Sequence, residues 1–340
     1  GIYCENTSNC KIHDNFLLNF AKSGIYLTKN NSEIDINRCT FIDNVQEHIF
    51  LNEVKGSNQS SVVVSNCTFF AGGYGIKGIN RKYKTNKLKI KNNISAYLKG
   101  PLIDTNADSV VVYGNRIFWG QSDGMRIKGK GFHIEGNMNC WIRGHGLVLD
   151  GAIDGTVEGN NLTDLGVRSR DGMRKCGIVM YNASQVIISG NSIWNWGDQG
   201  YIEYAIYEDD NCSNNKIFAN AGWFHAHPNA YKSLGMESSV FDNTSNQGEY
   251  RGDFWDFTQK FAAKIDEYIN SLRLDKGVIP ITYQDTKPFE VNGEEVIECK
   301  DMFQQVISFH NETVKKYGWI GSENQIWILE KSGDYYLIRK

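Results

Sequence analysis

An all-β solenoid wound as a parallel β-helix is the fold class this sequence predicts, on three observations. First, Gly-Asn followed by an apolar strand-former recurs as Gly114-Asn115, Gly136-Asn137, Gly159-Asn160 and Gly190-Asn191, with a weaker echo at Asn214-Asn215. Second, the Asn-to-Asn steps are 22, 23, 31 and 24 residues, a period too short for stacked helical pairs and suited to one lap of a β-coil. Third, a Gly-apolar-x-apolar cassette runs in step with the first, as in Gly24-Ile25-Tyr26-Leu27, Gly124-Met125-Arg126-Ile127, Gly146-Leu147-Val148-Leu149 and Gly177-Ile178-Val179-Met180.

Each lap then needs at least two short strands. One lies in the Gly-apolar-x-apolar cassette. The other lies in alternating runs such as Ile34-Asp35-Ile36, Val110-Val111-Val112 and Val186-Ile187-Ile188, because alternation at period 2 is the strand signal. The bends between strands are rich in Gly and Asn, which tolerate the left-handed backbone region that sharp corners require. Stacked Asn residues can bond their amides to the next lap. Successive laps pair in parallel about 4.8 Å apart, and such connections are right-handed almost without exception. The expectation is a right-handed parallel β-helix of about nine coils, residues 1–250, its repeats ending near 245.

The repeats resemble the pectate-lyase-like parallel β-helix superfamily, which includes pectate lyases, polygalacturonases, epimerases and phage tailspike depolymerases. The resemblance covers the repeats only and implies the fold more than a chemistry. Arg126-Ile127-Lys128 and Gly144-His145-Gly146 look like polygalacturonase signatures. Their order here is reversed and the Asp-bearing motifs of that family are missing, so those roles are not carried over.

Periodicity changes after Tyr250, and residues 251–340 read as a small α+β domain. Phe254, Phe257, Phe261, Ile265, Tyr268 and Leu272 trace one amphipathic helix, capped by Asp253 and ended by Gly277. A second spans about Asp301 to Tyr317. Asn292-Gly293 and Ser332-Gly333-Asp334 mark hairpin turns. This domain either caps the β-helix, makes oligomer contacts or binds a ligand.

The net charge of −3 argues against nucleic acid as the main partner, and no apolar stretch is long enough to be a membrane helix. The opening Gly1-Ile2-Tyr3 already matches the second cassette, so further residues or a partner are expected at that end. Of the eight cysteines, Cys39 and Cys67 occupy equivalent places 28 residues apart and should neighbour each other in an interior ladder. His225 and His227 form a lone HxH pair, weak evidence for a metal.

On a β-helix only outward side chains and projecting loops meet solvent, which leaves three candidate places. The 31-residue step inserts a loop carrying Arg168, Arg170, Asp171, Arg174 and Lys175, either a substrate contact or a tolerated insertion. In the second cassette the third and fifth places face out. One row then holds Arg126, Val148, Val179 and Tyr207, and the parallel row Lys128, Asp150, Tyr181 and Asp209. Asp150 and Asp209, two coils apart, would have backbones about 9–10 Å apart, near the roughly 6.5–9.5 Å that inverting glycosidases keep between carboxyl groups. Finally, Trp119 and Trp141 lie four residues after their Asn and should stack on adjacent coils, with Trp194 and Trp196 following Asn191; such rings either offer a ridge to sugar faces or pack under loops or in a subunit contact.

These features point to a polysaccharide-processing enzyme, a glycoside hydrolase with Asp150, Asp171 and Asp209 as catalytic carboxylates, acting on an extracellular or capsular polymer. No cofactor is required for hydrolysis. A lyase acting on a uronate polymer would use Lys128, Arg126, Tyr181 or Arg174 as base or cation and could add Ca²⁺; the acidic triplet Glu208-Asp209-Asp210, the one candidate cage, reads rather as a turn after a strand. The rival reading is a non-catalytic carbohydrate-binding or structural β-helix. The expected setting is extracellular, on a cell surface or on a virion, as part of a longer homotrimeric fibre.

Overall fold

The computed structural model describes residues 1–28, 31–52, 61–78, 85–166, 175–195, 202–223 and 230–246, together with four short strands near the C-terminus. The chain divides into two compact units, Gly1–Trp255 and Asp256–Lys340. In the second, Glu290–Val291 pairs antiparallel with Glu294–Glu295, and Ile328–Ser332 with Tyr335–Arg339. The two helices expected there, and His225 and His227, lie outside the described residues.

The first unit is a parallel β-helix of about nine turns with three strands per lap. A first face contains the Gly-apolar-x-apolar strands, from Ile2–Glu5 through Met125–Glu135 and Lys175–Tyr181 to Tyr231–Ser233. A second face holds the alternating runs, among them Ser32–Asn37, Leu88–Lys91 and Ser184–Ser189. The third, which sequence periodicity does not separate, follows each ladder Asn, as in Arg116–Phe118 and Met138–Ile142, and forms a 10-stranded sheet by itself. Met125–Glu135 and Leu147–Glu158 run unbroken round the bend from first face to second, joining those faces into one 19-stranded sheet.

The second-to-third corner explains the Gly-Asn cassette. The residue before the ladder Asn has φ of 59–64° at Gly114, Gly136, Gly159 and Gly190, the left-handed region that glycine enters without steric cost. Asn92, Ala219 and Asp242 take the same conformation at φ of 52–54°, so the ladder continues through coils that lack the glycine. Each Asn side chain then bonds to the next. Asn115 Nδ2 and backbone N both donate to Asn137 Oδ1, at 2.9 and 3.0 Å, while Nδ2 also reaches Ile90 O and Tyr113 O. The ladder runs Asn93, Asn115, Asn137, Asn160, Asn191, Asn220, Asn243. The echo expected at Asn214-Asn215 is therefore misplaced: the true successor of Asn191 is Asn220, 29 residues on. Asn215 instead serves the corner between the first and second faces, accepting the Val186 N–H and donating to Ala183 O. Cys39 and Cys67 continue the ladder backward, Cys39 N–H donating to Cys67 Sγ at 3.4 Å and Cys67 N–H to Asn93 Oδ1 at 2.9 Å.

Inside, Ile25, Ile49, Ile76, Ile103, Met125, Leu147, Ile178 and Ile206 form one column of buried side chains, each burial contributing about 1.5–3 kcal/mol. A polar exception is His48, wholly buried beside Phe41 and Phe69. Its Nδ1 accepts from Asn44 Nδ2 at 2.8 Å and its Nε2–H donates to Ala71 O at 2.7 Å, an arrangement only the neutral ring can make. Burial pushes its pKa from 6.5 to about 4, against the pull of the Ala71 carbonyl.

Two outcomes follow for stability. Between pH 6.5 and about 4 the unfolded chain takes up a proton at His48 that the folded chain refuses. Stability is therefore lost as pH falls through that window, by roughly 3 kcal/mol in all. Urea unfolding at a series of pH values should show this loss in the wild type and lack that share of it in His48→Gln. Asn137→Ala strips bonding partners from Asn115, Val112 and Glu135. It should cost about 2–4 kcal/mol in the same unfolding measurement, and an unchanged urea midpoint would refute the structural weight given to the ladder.

Candidate functional site on the first face

The strand register places one outward side chain per coil in a straight row along the first face. Tyr3, Tyr26 and Phe50 occupy successive rungs, then Lys77, Asp104 and Arg126, then Val148 and Val179, then Tyr207 and Lys232. At Ile127 the ladder slips its register by a bulge, and just beyond it Lys128 Nζ bonds to Asp150 Oδ2. Charged groups thus gather on the middle coils.

Asp104 lies at their centre. It is only 6% exposed and sits in register between Lys77 and Arg126. Burial raises its carboxyl pKa above the ordinary carboxylate value; Arg126, Lys77 and Lys128 oppose that shift, and Asp123 adds to it. Lys77 Nζ stands 3.5 Å from Glu47 Oε1 and 3.9 Å from the centre of the Tyr74 ring.

Asp123 is the anchor of the group. Its Oδ2 accepts Arg126 Nε and Nη2, each at 2.6 Å, and its Oδ1 accepts the His145 backbone N–H at 2.8 Å. The guanidinium is thus held by its inner edge while Arg126 remains half exposed. His145 Nδ1 accepts the Cys176 N–H at 3.0 Å, so the neutral ring carries its proton on Nε2. Burial lowers the His145 pKa, Lys175 and Arg126 push the same way, and Asp123 pulls back. An imidazole in that tautomer donates a hydrogen bond from Nε2; it cannot take up a proton at Nδ1 without losing the Cys176 contact.

Sequence reasoning brought Arg126, Lys128, Asp150 and Tyr181 to this face, and the structure sets them on adjoining coils. Val148 and Val179, expected to face solvent, point outward yet are buried, packed with Cys176 and Tyr204 and flanked by Tyr181 and Tyr207. Burial raises the Tyr181 phenol above its ordinary pKa. The Asp209 carboxylate is engaged by its own turn, Oδ1 accepting the Asn211 N–H and the Cys212 thiol, each at 3.1 Å. Glu208 turns inward, fully buried, where Asn215, Ser238 and Ser233 donate to it. The acidic triplet therefore does not present its three carboxylates on one side, and no cluster of three metal-ligating side chains occurs among the described residues.

The Trp ridge also needs correcting. Trp119 and Trp141 do stack, at 4.9 Å, but in a column continued by Tyr97, and Trp141 is only 4% exposed. The rings pack upon each other instead of offering a row of faces to solvent. Trp194 is half buried with its Nε1 on Ser192 Oγ. Arg168, Arg170, Asp171, Arg174 and Trp196 lie outside the described residues. Asp104 was missed because the outward row was drawn only from Arg126 onward although Leu102-Ile103 belongs to the same cassette, and Asp123 because it precedes the cassette glycine. His145 was visible only within a motif whose family order did not match.

The sequence profile of the family described as right handed beta helix region matches residues 1–95, and the first unit is wound as a right-handed parallel β-helix. No protein among the curated sequences matches it. Solved structures with a similar winding include tailspike protein 3 of bacteriophage CBA120, at TM-score 0.49 and 14% identity over 70% of this chain and 39% of that one. The A-module of the mannuronan C-5 epimerase AlgE6 from Azotobacter vinelandii gives 0.48 and 13% over 73% and 76%. The tailspike receptor binding domain of siphovirus 9NA gives 0.43 and 13% over 70% and 53%. The chain thus spans well under two thirds of either tailspike structure. No helix among the described residues is long and apolar enough to cross a membrane.

The seat of Asp123 depends on Gly144. A Cβ there would lie 2.2 Å from Asp123 Oδ1 and 2.6 Å from its backbone N. Gly144→Ala should displace the carboxylate, release Arg126 and lower stability by about 1–3 kcal/mol; a thermal unfolding curve identical to the wild type's would count against this account.

Proposed function

We propose that the first face carries a glycoside hydrolase site acting on an acidic extracellular or capsular polysaccharide. The observation that supports it best is Asp104: a buried carboxyl with a raised pKa, set in register between two cations in the outward row of the first face. A carboxyl that keeps its proton at milder acidity than usual is suited to protonate a glycosidic oxygen. Asp150, partnered by Lys128, supplies the second carboxylate to activate water. Its backbone lies two coils and two residues from that of Asp104, about 12 Å away. That leaves the roughly 6.5–9.5 Å carboxyl separation of an inverting pair within side-chain reach. Lys77 and Arg126 flank the acid and would hold the substrate's anionic groups.

Elimination by a lyase is the weaker reading because its base is hard to find. His145 has Nδ1 occupied, Tyr181 has a raised pKa, and Lys128 is paired with Asp150. A polymer too large for a closed pocket suits an outer strip, and such substrates lie outside the cell; a virion tailspike, homotrimeric as a fibre, is the setting that fits this activity. The reading dispenses with Asp209, whose oxygens serve a turn, and leaves Asp171 and the charged loop as further substrate contacts.

Incubation with uronate-containing and capsular polysaccharides should release new reducing ends without the ultraviolet absorbance of an unsaturated product. Asp104→Asn should lower turnover about 10²–10⁴-fold while retaining polymer binding. In the wild type, activity should fall as pH rises through the raised Asp104 pKa, at a pH above that of an ordinary aspartate. Unsaturated products would select elimination, and full turnover in Asp104→Asn would end this assignment.

A further inference from the structure

Asp104 stands in register with Lys77 on the coil before it and Arg126 on the coil after, and Lys128 follows Arg126 on the same strand. A buried carboxyl among three cations is expected to pair with at least one of them. Among the described residues none donates a hydrogen bond to the Asp104 carboxyl and none forms an ion pair with it. Each cation is engaged by a different carboxylate. Lys128 bonds to Asp150, Arg126 to Asp123, and Lys77 Nζ stands 3.5 Å from Glu47 Oε1.

The Lys77 contact has a direction. Asp104 lies one coil after Lys77 and Glu47 one coil before it, with Glu47 in register with Tyr74. The flexible four-carbon stem of a lysine can carry its ammonium toward either neighbour, and here it leans back. Two groups hold it there. The Tyr74 ring lies under the ammonium, 3.9 Å from its centre, an attraction that strengthens as water is excluded. Glu47 is itself fixed, its Oε2 accepting Ser23 Oγ at 3.0 Å, which leaves Oε1 for Lys77. Glu47 and Lys77 are both more enclosed than Lys128 and Asp150, so their attraction is less screened by solvent.

We propose that Glu47 is a positioning residue: together with the Tyr74 ring it draws the Lys77 ammonium onto the preceding coil, as Asp123 draws Arg126, so that neither cation pairs with Asp104. This rests on the hydrolase reading above and adds to it a residue that acts through Lys77. An ion pair with Lys77 would favour the ionised carboxyl and remove the proton that a general acid must give. The charged groups facing Asp104 are Lys77 from the strand before and Arg126, Lys128 and Asp123 from the coil after.

The test titrates Asp104 by carboxyl-carbon NMR in the full chain without substrate, its signal assigned by its absence in Asp104→Asn. Glu47→Gln frees Lys77 to turn toward Asp104, and the titration should move to lower pH by about one unit or more. The basic limb of any hydrolytic activity should move with it, lowering kcat/KM on that limb about tenfold. In a Lys77→Met background the same Glu47→Gln change should no longer lower the titration. An unmoved titration in Glu47→Gln, or an equal fall with and without Lys77, would overturn the proposal and leave the hydrolase reading intact. If Glu47→Gln does not fold, Lys77→Met alone decides. An ammonium held away contributes little, so the titration should rise by well under about one unit; a larger rise would mean that Lys77 already pairs with Asp104. Titrations that move as expected in a chain releasing no reducing ends from polygalacturonate, alginate or hyaluronan would uphold the positioning role of Glu47 and remove the hydrolase.

Discussion

An amide buried at a corner must find its hydrogen bonds somewhere, and in this chain each ladder Asn finds them in the next coil. Asn160 Nδ2 reaches Asn191 Oδ1 at 2.8 Å, and the same oxygen accepts the Asn160 backbone N–H. Leaving those groups unpaired would cost more than any single apolar contact in the column returns. The ladder therefore fixes which residue of one coil lies over which residue of the next. Because strand side chains alternate, that one alignment also decides which residues point inward and which outward. The apolar column and the outer rows are both consequences of it.

The outer cluster shows what such alignment can assemble. Lys77, Asp104 and Arg126 are separated by about twenty to thirty residues in sequence and become neighbours because each sits at the same phase of its lap, with Asp150 two residues further along the next coil. Their environment is then set by short-range chemistry. Asp123 clamps Arg126, the Cys176 N–H dictates the tautomer of His145, and burial raises Asp104. No cavity is needed; a rigid sheet already holds the groups in place, as a preorganised site requires.

Much of this was legible in the sequence, and what was not has identifiable causes. The period, the alternation and the Gly-Asn corners gave the winding, and equivalent places in the repeat gave the Cys39 and Cys67 contact. Corners built on Asn92, Ala219 and Asp242 escaped notice because the left-handed backbone there lacks the glycine that usually announces it. The third strand of each lap is short and its outward residues are often buried, as at Cys140 and Thr163, so period 2 is blurred. Stacking of Trp119 on Trp141 followed from spacing, but the burial of Trp141 did not, since a repeat predicts neighbours in the stack and says nothing of what lies above them. The raised pKa of Asp104 comes from burial against the pull of cations on other coils, and neither is a property of its local sequence.

Ladder partners stand 22, 23, 31 and 29 residues apart between Asn115 and Asn220, while the amide contacts stay at 2.8–2.9 Å. Lap length and alignment are thus independent. Loops can grow or shrink between corners while the rungs keep their places, so the walls around the outer strip are free to diversify over an unchanging floor. A lineage could lengthen or shorten these loops by insertion alone, without disturbing the stacked scaffold beneath them.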